Sequence, residues 1–355
     1  MKRRELLTGM ASGAALSACT PHETEGTIDA SAEERFEWRM VTAWPPNFPG
    51  LGTGATNLAN YLEELSDGRL TVEVYAAGEL VPALEVFDTV SAGTAELGHG
   101  GAYYWRGKAE ATQFFTTIPF GMNSLETNAW LYYGGGLELW EEVYRPFGLK
   151  PFPAGSSGVQ MGGWFNKTIE SVDDLRGLRM RMPGIGGEVL QRAGGTPVTL
   201  PGAELFTALQ TGAIDATEWV GPYNDVVFGL HQAARYYYYP GWHEPGTALE
   251  LMVNKTAFYG LSSDLQQIIR TAVARSNAWM LSEFEAQNGV YLRKLQDESS
   301  VQLRQFPDSV LNALRGFSKE VIEEVVESDP SSKKVYASFS AFHKAASGWS
   351  ELTEK

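Results

Sequence analysis

From residue 36 onward the chain switches repeatedly between two hydrophobic periods. Residues 36–43 (FEWRMVTA) alternate apolar and polar, as a half-buried strand does. A Pro/Gly stretch, PPNFPGLGTG, follows. Leu58, Tyr61, Leu62 and Leu65 then share one face of a helix over 55–65, which Ser66-Asp67-Gly68 stops. Residues 69–76 alternate again, with Leu70, Val72 and Val74 on one side. Pro82 opens another helix, and a short strand follows near Glu96. This strand–helix–strand–helix–strand grammar predicts a parallel α/β unit.

The middle of the chain repeats it. Residues 159–166 and 178–182 read as strands, with Ser171-Val172-Asp173-Asp174 capping a short helical turn between them. A helix over 186–193, a strand over 197–200, a helix over 203–210 and a strand end at 216–220 complete a second α/β unit. Strand-like segments at 236–239 and 249–253 precede a helical pattern over 263–298, which at 1.5 Å per residue spans about 54 Å and exceeds one small lobe. A strand at 301–306 and helices over 308–327 and 335–346 close the pattern. Two echoing stretches, Phe165-Asn166-Lys167-Thr168 and Val253-Asn254-Lys255-Thr256, each read as leaving a strand to begin a helix.

Composition narrows the function classes. The 355 residues carry a net charge of −15, which disfavours nucleic-acid binding. The lone cysteine, Cys19, excludes an intrachain disulfide and a cysteine-based zinc site. It falls in an N-terminal export signal over 1–19, where Lys2, Arg3 and Arg4 precede an apolar run. Arg3-Arg4 resembles a twin-arginine signal, and Leu16-Ser17-Ala18-Cys19 resembles a lipobox that would lipidate Cys19. The polar residues 20–35 read as a tether.

Arg181 lies at the end of a predicted strand, before a Gly-rich turn and a helix. Open α/β sheets bind ligands at strand carboxyl ends, and an arginine there can hold a carboxylate through two parallel hydrogen bonds. A surface arginine on an edge strand is the competing reading, and it suits Arg176 and Arg179 better. Glu218 and Glu244 sit in loops amid aromatics, where they could form an oxygen-rich cation site or a glycosidase acid/base pair. Gln160 adds a neutral oxygen. Trp44, Tyr103, Tyr104, Trp105, Trp164, Trp219, the tyrosines at 236–239 and Trp242 suit an aromatic-walled pocket. His99, His231 and His243 are too scattered for a histidine metal site, and the Gly50–Ala55 stretch follows a loop rather than the strand a dinucleotide fingerprint needs.

These stretches together resemble the periplasmic solute-binding component of tripartite ATP-independent (TRAP) transporters, over nearly all of the chain beyond the signal. DDLRGLRMRMPG is similar to the strand that bears the family's carboxylate-binding arginine, here Arg181. LQTGAIDATEWVGP is similar to a family loop in which Trp219 stands where asparagine is usual. That departure argues against the sialic-acid and C4-dicarboxylate branches. GVQMGGWF, EWVGPYND, YYYYPGWHEPG, WPPNFPGLGTG and AYYW resemble the branch that takes 2-oxo acids and related monocarboxylates with a metal ion.

The resemblance implies an α/β, two-lobed periplasmic binding-protein fold with hinge strands and a long connecting helix. Lobe I would hold 36–157 and 247–286, and lobe II would hold 158–246 and 287–355 with the C-terminal helices. Gln160, Glu218, the Trp219 carbonyl and Glu244 would hold Na⁺ or Ca²⁺. Arg181 would grip the ligand carboxylate, with Gln160 and Trp219 beside it. Tyr103, Tyr104 and Trp44 would wall the pocket. Two carboxylates plus an anionic ligand outnumber one arginine, so a cation is needed, and an all-oxygen shell suits Na⁺ or Ca²⁺ rather than zinc or copper. The protein would perform no chemistry and would deliver a pyruvate-like 2-oxo or 2-hydroxy acid to membrane permease subunits. Dimers through C-terminal helices occur in that branch, which leaves a homodimer open.

Three rivals remain on sequence grounds: an ABC-type organic-anion binding protein, a secreted glycoside hydrolase using Glu218 and Glu244, and a ligand-sensing lipoprotein. Under the transport reading, Arg181→Ala is expected to abolish acid binding and leave the fold intact.

Overall fold

A computed structural model describes residues 34–298 and 300–353. The export signal, Cys19 and all but the last two residues of the expected tether lie outside the described residues.

The first half runs β1 (Phe36–Thr42), α1 (Gly52–Leu65), β2 (Leu70–Tyr75), α2 (Val86–Ser91), β3 (Leu97–Gly100), α3 (Ser124–Tyr133), α4 (Gly136–Tyr144) and β4 (Leu149–Gly158). The second runs β5 (Gly163–Phe165), β6 (Arg179–Arg181), α5 (Gly184–Arg192), β7 (Thr196–Val198), α6 (Leu205–Gln210), β8 (Ala216–Thr217), α7 (Pro222–Val227), α8 (Leu230–Ala233) and β9 (Tyr236–Tyr239). The chain then returns through β10 (Thr247–Asn254), α9 (Lys255–Gly260), α10 (Ser263–Asp297), β11 (Gln302–Gln305), α11 (Asp308–Ser328) and α12 (Pro330–Thr353).

Two sheets result. The first has the order β2-β1-β3-β10-β4 and the second β11-β9-β5-β8-β6-β7. Strands β1, β2 and β3 are parallel, as the strand–helix alternation requires, whereas β10 runs antiparallel to both β3 and β4. Two strand-to-strand crossings, β4 to β5 and β9 to β10, therefore join the sheets, and α10 makes a third link by packing on β4 and α1 and also on α7. Its Met280 reaches in so closely that a Cβ on Gly54 or Gly155 would lie 2.5 Å from it. A side chain at either position would push the flexible end of Met280 aside.

Several expectations change. Residues 124–144, outside the elements read from the sequence, form α3 and α4. Helix α3 starts at an Asn123/Glu126 capping box, in which each side chain satisfies the other residue's free N–H. The strand expected over 216–220 ends at Thr217. Beyond it, Val220 N–H turns away to donate to the Asp225 carboxylate at 3.2 Å. Asn254 caps α9 as its sequence suggests, but its echo at Asn166 begins no helix: bends lead instead to a 3-10 turn at Val172–Leu175. Helix α12 packs on α3, α4 and the turn Glu110–Phe115 as well as on α11. A boundary placing all of 287–355 in the second lobe cuts across those contacts.

Burial in the first half centres on aromatics. Phe115 stacks on Trp140 at 5.0 Å and on Trp130 at 5.8 Å, and all three are fully buried. Beside them, Glu250 in β10 is fully buried and accepts hydrogen bonds from Trp105 Nε1 at 2.6 Å and Tyr144 O–H at 3.0 Å. Its second oxygen has no partner. Burial pushes its pKa up to about 7.

Two outcomes follow. Phe115→Ala should destabilise the fold by about 3–5 kcal/mol in denaturant melts, whereas Leu125→Ala, exposed on α3, should stay within about 0.5 kcal/mol. Glu250 keeps its proton in the folded chain where the unfolded chain, with an ordinary value of 4.5, has lost it. Folded stability should therefore fall as pH rises from about 4.5 to about 7. Glu250→Gln should flatten that part of the profile in urea melts, and parallel wild-type and variant profiles would contradict the assignment.

Candidate functional site

The site forms where the two sheets meet. Arg181 ends β6, and Glu218 follows directly from β8, its parallel neighbour. Both side chains thus emerge at a strand carboxyl end, and both are buried, at 1% and 0% exposure. An Arg181 Nη1–H donates to Glu218 Oε1 in a short charge-assisted bond. Arg181 Nη2–H donates to the Tyr104 hydroxyl at 3.1 Å, and Nε–H donates to the Leu200 carbonyl at 3.3 Å. The guanidinium also lies 5.0 Å from the Trp219 ring centroid, within cation–π range. Burial works against the guanidinium charge, but the Glu218 carboxylate outweighs it and raises the pKa further. Arg181 is a permanent cation here.

Glu244 comes from the segment joining β9 to β10. Its Oε2 accepts from Gln160 Nε2 at 2.7 Å and from the Thr247 hydroxyl at 2.6 Å. Gln160 N–H donates to the Glu244 carbonyl at 3.1 Å, which ties the two crossing segments together. Burial first, and Glu218 second, push the Glu244 pKa up to about 7. Five buried polar atoms around this cluster have no hydrogen-bond partner: Gln160 Oε1, Glu218 Oε2, the Trp219 indole N–H and both ring nitrogens of His243. Two of them are oxygens, and buried oxygens left unpaired beside carboxylates fit a hard cation with oxygen ligands.

The aromatic residues singled out from sequence surround the same point. Trp44, Tyr103, Tyr104, Gln160 and Trp219 line a tight cavity of about 10 Å³, room for about one water molecule. Trp44 is held by its indole N–H donating to His99 Nδ1 at 2.8 Å, and its ring meets Trp219 edge-on at 6.4 Å. Burial first and the nearby Glu244 second raise the Tyr103 pKa well above its ordinary value, so the hydroxyl stays protonated. The structure brings all eight expected residues into one cluster. Trp164, Tyr237 and Tyr238, also read as pocket aromatics, are fully buried elsewhere, with Trp164 stacked on Tyr237 at 4.0 Å.

Two neighbours were not expected. His243 is 1% exposed, with neither ring nitrogen hydrogen-bonded and Nε2 3.6 Å from Glu218 Oε2. With Glu218 and Glu244 it offers donor atoms within 4.8 Å of one another. His243 adjoins Glu244 in sequence, but that adjacency alone carries no spacing signal for a site. Asp225 accepts from Trp164 Nε1 at 3.0 Å, the Tyr237 hydroxyl at 2.7 Å and Val220 N–H at 3.2 Å. It fixes the peptide that follows Trp219.

A sequence profile of the bacterial extracellular solute-binding proteins, family 7, matches residues 40–329. The chain belongs to that family. Family 7 proteins carry solutes rather than transform them, so the hydrolase reading of Glu218 and Glu244 falls away. The chain is 43% identical to a monocarboxylate 2-oxoacid-binding periplasmic protein of Nostoc sp., over 100% of this chain and 97% of that one. It is similar to a TRAP periplasmic solute-binding protein from Colwellia psychrerythraea crystallised with calcium and pyruvate. There the TM-score is 0.88 and the identity 43%, over 90% of this chain and 98% of that one. A TRAP protein from Pseudoalteromonas atlantica with sodium and pyruvate gives 0.88 and 44% over the same shares. The fold is thus the two-lobed binding-protein fold of this family.

The buried pair revises one expectation. Arg181→Ala leaves the Glu218 carboxylate buried without its cation, which costs about 3–5 kcal/mol. Denaturant melts should show that loss, and Arg181→Met with Glu218→Gln should recover much of it. A single variant as stable as wild type would show that Glu218 finds another partner.

Proposed function

We propose that this chain captures a small 2-oxo or 2-hydroxy monocarboxylate, pyruvate being the simplest, together with Na⁺ or Ca²⁺, and delivers it to a TRAP membrane permease. The carrying observation is the buried, aromatic-walled cluster in which one arginine faces two carboxylates. Glu218, Glu244 and an acid ligand bring three negative charges against the single charge of Arg181, so an anion enters only with a cation. Gln160, Glu218, the Trp219 carbonyl and Glu244 would hold that cation, and Arg181 with Tyr104 would orient the ligand carboxylate. The ligands of the Colwellia and Pseudoalteromonas proteins support this reading.

Lobe I would be built on the first sheet and lobe II on the second, hinging at the 158–163 and 239–247 crossings. Closure would exclude water and strengthen both the arginine–carboxylate and cation–oxygen contacts. Cys19 would carry the lipid that keeps the mature protein at the membrane after export by a twin-arginine-like signal.

Tryptophan fluorescence should report closure through Trp219 and Trp242. Pyruvate should give a saturable change that needs Na⁺ or Ca²⁺ and vanishes in chelator with sodium-free buffer. Glu244→Gln should weaken binding at least tenfold, with added cation restoring part of it. Full affinity without cation would remove the metal from the site, and a response to succinate or sialic acid instead would overturn the ligand class. In cells, Cys19→Ala should move the protein from the membrane to the soluble fraction, and an unchanged distribution would refute lipidation.

A further inference from the structure

A second depression, of about 330 Å³, lies between α11, α12 and the loop at 118–121, away from the ligand cavity. Its floor is apolar, with Ile118, Ile322 and Phe339 buried beneath it. Its rim is cationic, with Arg315 and Lys319 from α11 and His343 and Lys344 from α12, and no carboxylate lines it. This stands out on a chain of net charge −15. Two other cations touching these helices are paired, Arg192 with Glu320 and Glu324 and Lys334 with Glu142, whereas Lys333 on α12, outside the groove, has no ion pair among the described residues. Arg315 and Lys344 meet no carboxylate among the described residues, and Lys319 has only Glu323 at 3.9 Å. Arg315 lies instead over the Phe120 ring, 4.2 Å from its centroid.

The walls come from both halves of the molecule. Helix α11 packs on α5, beside the second sheet, and α12 packs on α3 and α4, beside the first. Phe120 links the groove to the ligand site. Its N–H donates to the Trp242 carbonyl at 2.8 Å, and its ring stacks on Trp242 at 5.7 Å. Trp242 lies two residues before Glu244. A groove walled by both halves and joined to that segment would change shape if the two halves close on a ligand.

We propose that this groove docks an acidic segment of the membrane permease, with an apolar side chain on the floor and carboxylates against Arg315, Lys319 and Lys344. The proposal rests on the transport reading. A concave site with an apolar floor and a charged rim matches a peptide or helix edge, whereas a lipid headgroup brings charge but nothing for the floor. The net charge of the whole chain also repels an anionic bilayer, so only a local acidic partner is favoured. If closure shapes the groove, docking and ligand binding favour one another by the same factor.

The test measures binding of the mature protein to its cognate permease in nanodiscs, with empty phosphatidylglycerol nanodiscs as reference. Lys319→Glu/Lys344→Glu should bind the permease at least tenfold more weakly than wild type, and its binding should lose most of its salt dependence. The neutral pair Lys319→Gln/Lys344→Gln should show a smaller loss. Lys333→Glu, exposed on α12 outside the groove, should bind as wild type. All these positions are exposed, and unchanged thermal midpoints should show that the variants fold. Wild-type docking by both pairs would overturn the proposal, as would equal loss in Lys333→Glu or equally tight binding to empty nanodiscs. Pyruvate titration in solution is a separate readout. Its failure in wild type would strike the proposed ligand, whereas unchanged pyruvate affinity alongside lost docking is the expected result for the groove variants.

Discussion

The structure depends on holding a permanent cation and two carboxylic groups together where water is excluded. Isolated, each would be strongly destabilising in such a place. Arg181 and Glu218 tolerate burial because they emerge side by side from parallel neighbours β6 and β8, and because Tyr104 and the Leu200 carbonyl accept hydrogen bonds from two further guanidinium N–H groups. Glu244 has no arginine of its own. Its donors are Gln160 and Thr247, and burial beside Glu218 holds its pKa near 7. The cluster is therefore poised between binding a proton and binding a metal ion. A cation arriving with a carboxylate ligand would offset the burial and the Glu218 charge that hold the Glu244 pKa up, and would make cation and ligand mutually dependent.

That constraint explains the topology around it. The arginine and one carboxylate belong to the second sheet, whereas the other carboxylate sits in the crossing between sheets. Gln160, in the other crossing, hydrogen-bonds to Glu244 through both backbone and side chain. Charges that must meet are thus carried by the segments that would bend. Asp225 stiffens the segment after Glu218 from behind, through Val220 N–H, Trp164 and Tyr237.

How much of this was legible in the sequence follows from the range of each interaction. Arg181 could be singled out because a strand followed by a glycine-rich turn is a local pattern with a general consequence for ligand position. The long helix α10 was legible because a repeat over 35 residues is hard to mistake. Helix α3 was not, because Leu125, Tyr132 and Tyr133 are exposed and leave no clean apolar face. The ion pair of Arg181 and Glu218 joins positions far apart in sequence, so composition showed both charges but not their meeting, nor the stability that now hangs on it. Strand β8 stops at Thr217 because its continuation bonds to Asp225, a tertiary contact that no alternation pattern announces. The family resemblance supplied what periodicity could not, namely which loop carboxylates come together. His243 escaped both routes, since a lone histidine beside a glutamate carries no spacing signal.

His243 then sharpens the electrostatic argument. It is buried against Glu218 Oε2 with no hydrogen-bond partner on either nitrogen. An imidazole so placed can donate to Glu218 or to a ligand oxygen, but it cannot replace Arg181, whose charge does not depend on pH. Nitrogen beside two carboxylates would favour a transition metal if all three bound one ion. The unpaired amide oxygen of Gln160 and the Trp219 carbonyl pull the opposite way, toward a hard cation. Which side the ion takes is then a matter of where oxygen outnumbers nitrogen. Gln160 and Trp219 line the aromatic cavity, whereas Glu244 lines, with His243 and Tyr103, a second small cavity beside it. In the proposed reading a cation held between Gln160 and Glu244 would lie beside the ligand's own oxygens, so that the solute itself would complete the donor set that selects Na⁺ or Ca²⁺.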